Sequence, residues 1–308
     1  MHSTHEGIPP MSGDSRTTDA GAEYGGVIKE LITNSSIELT GKYQHQINQV
    51  RDLLPFGTDI YLSALPNRPL ETNLECIAAI RAAGFNPVPH IAARHIRSRS
   101  ELKRFLTVVI TDQEVKKVLL IGGDLPEPLG PYNDAISVLK DGILHELGIC
   151  EIGISGYPEG HPRIPNEMIQ QSIVQKISLA REQQLGVYLI TQFSFAPGRI
   201  VDYCAKLNRL IPDVPVYVGM AGPTNPVSLL RYARICGVSA SLRALTGLGF
   251  KAARLVTRTE PNEQLTVLAR YCAGREAGNV MGVHIFSFGG FIESVKWLKE
   301  KQGSTFTV

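Results

Sequence analysis

Short apolar runs alternate with amphipathic stretches along the chain from residue 34 onward. Each run is rich in β-branched or apolar residues and ends in a polar or glycine-rich loop. A stretch with helical periodicity then follows. Strands that alternate with helices in this way indicate a parallel sheet and an α/β fold. Eight runs predict strands: Ser35–Thr40, Asp59–Ser63, Asn86–Ile91, Lys117–Ile121, Glu151–Ser155, Tyr188–Gln192, Pro215–Gly219 and Gly282–Ser287.

Eight strand–helix units favour a closed (β/α)8 barrel, a TIM barrel, as one domain over residues 27–308. The alternative is an open doubly wound sheet with a dinucleotide site, which needs GxGxxG after the first strand. The first strand is instead followed by Gly41-Lys42-Tyr43, so the barrel is preferred. The predicted helices are Gln44–Leu54, Leu70–Ala83, Ser98–Thr111, Pro131–Leu147, Pro165–Gln184, Gly198–Ile211, Asn225–Cys236 and Gly290–Lys301, with a further helical block at Ser239–Glu276.

Composition narrows the class of protein. The 308 residues are 43% hydrophobic and carry a formal net charge of +2, which argues against bulk nucleic-acid binding. No apolar run approaches the roughly 20 residues that span a bilayer. The five cysteines are widely spaced, which suggests neither a zinc site nor a disulfide framework and fits a reducing cytoplasm. Residues 1–26 are polar and predict a flexible tail, with some helix near Tyr24–Leu31.

In a (β/α)8 barrel the active site lies at the carboxyl ends of the strands, so the residues there carry the candidate chemistry. Glu38 lies in the first strand, where burial is expected to raise its pKa and make it a proton donor, unless it faces outward or is ion-paired. His90 ends the third strand and could equally be structural. Gly122 and Gly123 allow a flat ligand or a phosphate close to the backbone, and Asp124 would then project at the mouth, although an Asp turn explains the pattern as well.

The fifth and sixth strands end in denser polar clusters. One loop with several prolines contains Tyr157, Glu159 and His161. Glu159 and His161 could bind a metal ion, but no third ligand with suitable spacing is evident. Gln192 lies among aromatic residues, where its amide could hydrogen-bond the edge of a heterocycle.

Taken in order, these strand ends resemble the methylenetetrahydrofolate reductase family, in its short bacterial type with the catalytic barrel alone. The resemblance spans roughly residues 34–300. It rests on His90 after a proline and on three motifs in sequence: Gly-Asp-Leu-Pro at Gly123–Pro126, Tyr-Pro-Glu-Gly-His-Pro at Tyr157–Pro162 and Ile-Thr-Gln-Phe at Ile190–Phe193.

The resemblance implies an oxidoreductase that uses FAD and NADH or NADPH. Hydride would pass from the nicotinamide through the flavin to 5,10-methylenetetrahydrofolate and give 5-methyltetrahydrofolate, which links one-carbon metabolism to methionine biosynthesis. Glu38 would be the general acid and Asp124 would stabilise the folate cation, while Gln192 and Phe286 would bind substrate. The positions implied for the flavin are Ser63, His90, Gly122, Gly123, Asp124, Tyr132, Tyr157, His161 and Lys176.

The chain also departs from the family pattern. Gly122 stands where many relatives have arginine, and Gly222 stands where proline is common. Three further interpretations therefore stay open: direct hydride transfer from NADH without flavin, the reverse oxidation of methyl-folate, and a catalytically inactive folate-binding protein. We expect small-molecule substrates, no nucleic-acid or membrane partner, no metal, and a homo-oligomer, with a dimer favoured.

Overall fold

Eight parallel strands close into a barrel in the computed structural model, which describes residues 24–64, 68–224, 226–238, 260–274 and 278–303. Each strand pairs with the next in chain order, and β8 pairs back with β1. The predicted (β/α)8 barrel is therefore confirmed. The strands are β1 Ser36–Leu39, β2 Asp59–Leu62, β3 Asn86–Ala92, β4 Lys117–Ile121, β5 Glu151–Gly156, β6 Gly186–Thr191, β7 Val216–Ala221 and β8 Val280–Phe286.

Helices surround the barrel and follow the strands. Their apolar faces pack on the outward strand residues, so that Ile37, Leu39 and Ile60 are fully buried in the main core. The α-helices are α1 Gly25–Thr33, α2 Leu74–Ala82, α3 Arg99–Gln113, α4 Ala135–Asp141, α5 Ile143–Leu147, α6 Asn166–Glu182, α7 Pro197–Leu210, α8 Pro226–Ile235, α9 Asn262–Ala273 and α10 Phe291–Gly303, and 3₁₀ segments cover Gly41–Val50, Leu70–Asn73 and Ala93–His95.

Several predicted helices differ from the observed ones for local reasons. The helix predicted over Pro131–Leu147 is two helices, because Gly142 adopts φ of +77° and ends α4. The helix predicted over Gln44–Leu54 is instead a 3₁₀ segment with a kink at Tyr43. From the block Ser239–Glu276 the structure describes α9, and residues 239–259 lie outside the described part of the chain.

The amino-terminal segment contributes to the fold from residue 24 onward. Helix α1 begins at Gly25, inside the predicted tail, and its Ile28, Leu31 and Ile32 are buried. It packs on α9, α10 and β8. Residues 1–23 lie outside the described residues, and within the described part no helix is both long and apolar enough to cross a membrane.

Polar groups close the amino-terminal end of the barrel. Lys117 Nζ lies 2.9 Å from a carboxylate oxygen of Asp59 and 3.0 Å from one of Glu151, and it covers the Tyr188 ring at 5.1 Å. Above this group, the hydroxyl of Tyr61 donates to that of Tyr188 at 2.8 Å. Because this end is filled, the residues that could act on a ligand lie at the opposite end, which we call the mouth.

Candidate active site

Glu38 is held at the mouth by groups from two neighbouring strands. It lies in β1, with 19% of its side chain exposed. The hydroxyl of Ser63, just after β2, donates to Glu38 Oε1. The Nε2 atom of His284, in β8, lies 3.8 Å from Glu38 Oε2. Ser63, implied for the flavin by the resemblance, is thus engaged with the candidate general acid.

The expectation of a raised pKa for Glu38 is wrong in direction. Burial is the largest single influence and raises the pKa, as expected. However, the nearby imidazoles of His284 and His90, together with the Ser63 hydroxyl, outweigh burial and hold the pKa of Glu38 below its ordinary value. No motif pointed to His284, so the opposing influence was missed. The resting carboxyl group is therefore ionised at neutral pH.

His90 faces the barrel interior and is 7% exposed. Its Nε2 atom is buried and has no hydrogen-bond partner among the described groups. Burial lowers the pKa of His90, and the Glu38 carboxylate partly opposes this. The ring is therefore neutral at pH 7, and one of its buried polar atoms is without a partner among the described groups.

Asp124 projects from the loop after β4, as the sequence predicts. Its side chain is 67% exposed, and a carboxylate oxygen lies 2.7 Å from Nε2 of the buried His95. Gly123 adopts φ of +91° beneath this pair, and a Cβ there would lie 3.0 Å from the His95 ring. At Gly122 a Cβ would meet no atom within 4 Å, so the backbone there borders open space.

The loop after β5 stands beside these groups on the rim. Tyr157 and His161 pack edge to face with their ring centroids 5.3 Å apart. Glu159 accepts a hydrogen bond of 2.7 Å from Ser194, which ties this loop to the one after β6. His161 is partly buried, which lowers its pKa. The polar residues predicted at the end of β5 therefore lie together on the rim, and their described contacts are with other residues of the protein.

Gln192 and an aromatic group line the far side of the mouth. Gln192 directly follows β6, and its side-chain oxygen accepts from the backbone N–H of Phe193 at 3.2 Å. The aromatic group consists of Phe193, Phe195, Phe286, Phe288 and Tyr232. Phe286 stacks on Phe288 at 5.8 Å, and Tyr232 of α8 stacks on Phe288 at 4.7 Å. Phe286, predicted to bind substrate, therefore belongs to an apolar wall at the ends of β6, β7 and β8.

Two residues implied for the flavin have contacts in the helical layer. Tyr132 is 3% exposed, and its hydroxyl donates to Asp141 at 3.0 Å. Burial, and then this hydrogen bond, raise the pKa of Tyr132 to about 12. Lys176 lies within α6, ten residues after Asn166, where the helix begins. At ~1.5 Å per residue this places it about 15 Å along the helix axis from that end. Burial lowers the pKa of Lys176, and Asp134 at the start of α4 opposes the shift. Their roles in cofactor binding remain predictions.

Three residues at the site were not foreseen: Ser36, His95 and His284. The period-two alternation of strands contained a usable signal for two of them, because Ser36 shares a face with Glu38 and His284 shares one with Phe286. His95 lies in a 3₁₀ turn after β3, where no periodicity applies. Among the described residues, no three His, Cys, Asp or Glu side chains are grouped so that they could hold a metal ion.

Comparisons with known proteins give a partial match. No family model matches the chain. A segment of 86 residues, 27% of the chain, is 30% identical to "Methylenetetrahydrofolate reductase 2" of Saccharomyces cerevisiae and covers 14% of that protein. Among solved structures, the dihydropteroate synthase of Thermus thermophilus aligns over 87% of this chain and 90% of its own, at 12% identity and a TM-score of 0.47. That structural likeness is too weak to bear on function. The chain is thus similar to a methylenetetrahydrofolate reductase over about a quarter of its length.

Proposed function

We propose that the chain is an enzyme of folate metabolism that interconverts 5,10-methylenetetrahydrofolate and 5-methyltetrahydrofolate, with NADH or NADPH as the hydride partner. The observation that carries the proposal is Glu38, a carboxyl group held at the barrel mouth by Ser63 and accompanied by two buried histidines. The order of the strand-end motifs and the partial identity with the yeast reductase support the same activity.

Each residue at the mouth has a task that suits this reaction. In the reductive direction Glu38 protonates folate N10, so that the five-membered ring opens to a cationic iminium. Asp124, anchored by His95, places a negative charge where that cation forms. Gln192 hydrogen-bonds the pterin, and Phe286 packs against it.

The residues at the mouth fit a flavin. The unpartnered Nε2 of buried His90 can hydrogen-bond a polar ring edge, and the open space at Gly122 admits a planar group. With Gly123, Tyr157 and His161 on the adjoining rim, these residues would hold FAD. When bound, FAD supplies the hydride relay between the nicotinamide and the folate.

The same residues also suit the reverse direction, the oxidation of 5-methyltetrahydrofolate. An ionised carboxylate is a proton acceptor, and oxidation of 5-methyltetrahydrofolate requires a base at N10. A catalyst accelerates both directions, so the same residues serve either one.

The test separates the two half-reactions. Purified protein is mixed with FAD, and its visible spectrum is recorded. Rapid-mixing absorbance then follows flavin bleaching by NADH and reoxidation by methylenetetrahydrofolate. Glutamine at residue 38 keeps the shape but cannot supply a proton. We expect Glu38→Gln to leave the first step near normal and to slow the second at least about a hundredfold.

Glu30→Gln is the matched control, because Glu30 is exposed on α1, before β1 and away from the mouth, and it should leave both steps unchanged. Equal slowing of both steps by Glu38→Gln would assign Glu38 to structure instead of proton transfer. If the protein binds no FAD but oxidises NADH when methylenetetrahydrofolate is present, direct hydride transfer without flavin would be favoured. No turnover under any of these conditions would contradict the proposed function.

A further inference from the structure

His284 is a fully buried polar side chain in β8, at the seam where β8 pairs with β1. Its exposed fraction is 0%, and it lies in β8 directly beside Ser36 of β1 in the strand register. The Nδ1 atom of His284 lies 2.8 Å from the Ser36 hydroxyl oxygen. The Nε2 atom points at Glu38, 3.8 Å from its nearer oxygen, and has no hydrogen-bond partner among the described groups.

These contacts favour a proton on Nε2 of the ring. If Nδ1 carried the proton, Nε2 would present a lone pair to the ionised oxygen of Glu38, which is repulsive. With the proton on Nε2, the ring presents an N–H to the carboxylate, and the Ser36 hydroxyl donates to the free Nδ1. Each group then presents its proton to the next, from the Ser36 hydroxyl to Nδ1 of His284 and from Nε2 of His284 to the Glu38 carboxylate.

We propose that His284 is a positioning residue that presents its Nε2–H to Glu38 and, oriented by Ser36, fixes both the place and the protonation of that carboxyl group. The catalytic consequence rests on the proposed function, but the interaction itself does not. At 3.8 Å the contact is longer than a hydrogen bond in the resting structure.

Other groups also face Glu38, and they limit how much His284 alone can change the pKa of its carboxyl group. Ser63 donates from the end of β2, and His90 acts from β3 through its charge. Cys236, just after α8, is close enough for Glu38 to contribute to its raised pKa. The rings of Tyr61 and Phe286 flank His284 at 4.7 Å and 4.8 Å and shield it from water. Among the groups that lower the pKa of Glu38, His284 is the strongest.

Substitution of His284 should therefore leave burial as the dominant influence on Glu38. Asparagine keeps a polar atom near the Nδ1 position and can bond Ser36, but it cannot reach Glu38. Glutamine is long enough to place an amide N–H near the Nε2 position. We expect His284→Asn to raise the pKa of Glu38 by about one pH unit or more, and His284→Gln to restore most of the difference. Ser36→Ala should give a smaller rise, because the ring keeps its N–H but loses its orientation.

The direct measurement uses the ligand-free protein. Glutamate is labelled with ¹³C at the side-chain carboxyl, and the Glu38 resonance is identified by its disappearance in Glu38→Gln. Its titration midpoint is followed by NMR in the wild type, His284→Asn, His284→Gln and Ser36→Ala. His145→Asn, a change at an exposed histidine on α5, is the control and should leave the midpoint unchanged. An unchanged midpoint in folded His284→Asn overturns the proposal. If that variant does not fold, the same outcome in Ser36→Ala overturns it.

The second measurement is the pH profile of the folate half-reaction. Reduction needs protonated Glu38, so its rate falls as pH rises through the pKa of that group. In His284→Asn this fall should move to higher pH, while a merely structural loss would lower the rate equally at every pH. If the NMR midpoints shift but no folate turnover occurs, the proposed function fails and the role of His284 stands. If turnover occurs and neither the midpoint nor the profile shifts, the role of His284 fails and the function stands.

Discussion

Two glycines at the mouth have opposite environments. A Cβ on Gly219, in β7, would lie 2.0 Å from the carbonyl oxygen of Thr191 and 2.7 Å from the Phe286 ring. Only glycine fits there, and its small size lets β6, β7 and the aromatic wall approach one another. Gly122 borders open space, and its φ lies outside the left-handed region. One position is thus fixed by packing and the other is free to vary.

This contrast gives a paired prediction. Gly219→Ala should lower the free energy of unfolding by about 3 kcal/mol, because backbone must shift to admit the methyl group. Gly122→Ala should change it by less than about 1 kcal/mol, with a slight gain, since alanine restricts the unfolded chain. Urea denaturation of both variants beside the wild type measures the difference. Equal losses in the two variants would show that the environments are not distinct.

The sequence predicted the position of a single residue where that residue belongs to a motif at the end of a strand. Asp124 was correctly expected to project at the mouth, because the glycines before it mark the turn. The environment of Glu38 could not be foreseen, since it depends on His284, which is remote along the chain and close only through strand pairing. A pKa is set by such neighbours, and neighbours follow from the fold.

At the level of elements, α8 and the turn after β8 together cover one side of the mouth. Tyr232 of α8 stacks on Phe288, and Leu229, Ala233 and Val238 are buried with Phe193. Phe288 adopts φ of +47°, a left-handed conformation that is costly for a bulky residue. The stacking therefore holds a strained turn and a helix against each other.

We expect Phe288→Ala to loosen α8 without unfolding the barrel. The substitution removes the ring on which Tyr232 stacks, so backbone amides of residues 226–238 should exchange hydrogen faster. Amides of β2 to β5 should keep their protection. Mass spectrometry of deuterium uptake resolves the two regions. Phe56→Ala is the control, because Phe56 is 91% exposed and should alter neither region. Unchanged exchange in α8 after Phe288→Ala would show that other contacts hold the helix.

Element type followed from hydrophobic periodicity, but element ends depended on backbone detail. All eight strands were predicted within a few residues, because buried β-branched runs leave little ambiguity. The break at Gly142 was missed, since a glycine inside an apolar periodic stretch is also tolerated within a helix. The 3₁₀ segment after β1 carries helical periodicity as well, so periodicity could not distinguish it from an α-helix.

For the whole molecule, buried histidine makes stability depend on pH. Burial holds the pKa of His90 below its ordinary value of 6.5, so between that value and the folded pKa the unfolded chain binds more protons. Stability should therefore fall as pH drops below about 6.5, by about 1.4 kcal/mol for each pH unit until the folded pKa is reached. The lowered pKa of Glu38 adds a second loss below about 4.5.

Thermal unfolding between pH 7.5 and about 5 tests the histidine contribution. His90→Gln removes the group that resists protonation, so its melting temperature should fall less over this range than that of the wild type. His145→Asn, at an exposed position, should follow the wild-type curve. Parallel curves for wild type and His90→Gln would place the acid sensitivity elsewhere.

The closure of the barrel between β1 and β8 has a consequence for how the protein is made. Because a ribosome synthesises β1 before β8, the carboxylate of Glu38 is made before the imidazole of His284 that comes to lie beside it. Until the last strand docks, β1 has a free edge and Glu38 lacks part of its surroundings. The surroundings of Glu38 are thus complete only once β8 has paired with β1, and a nascent chain that stops short of β8 contains Glu38 without its neighbour His284.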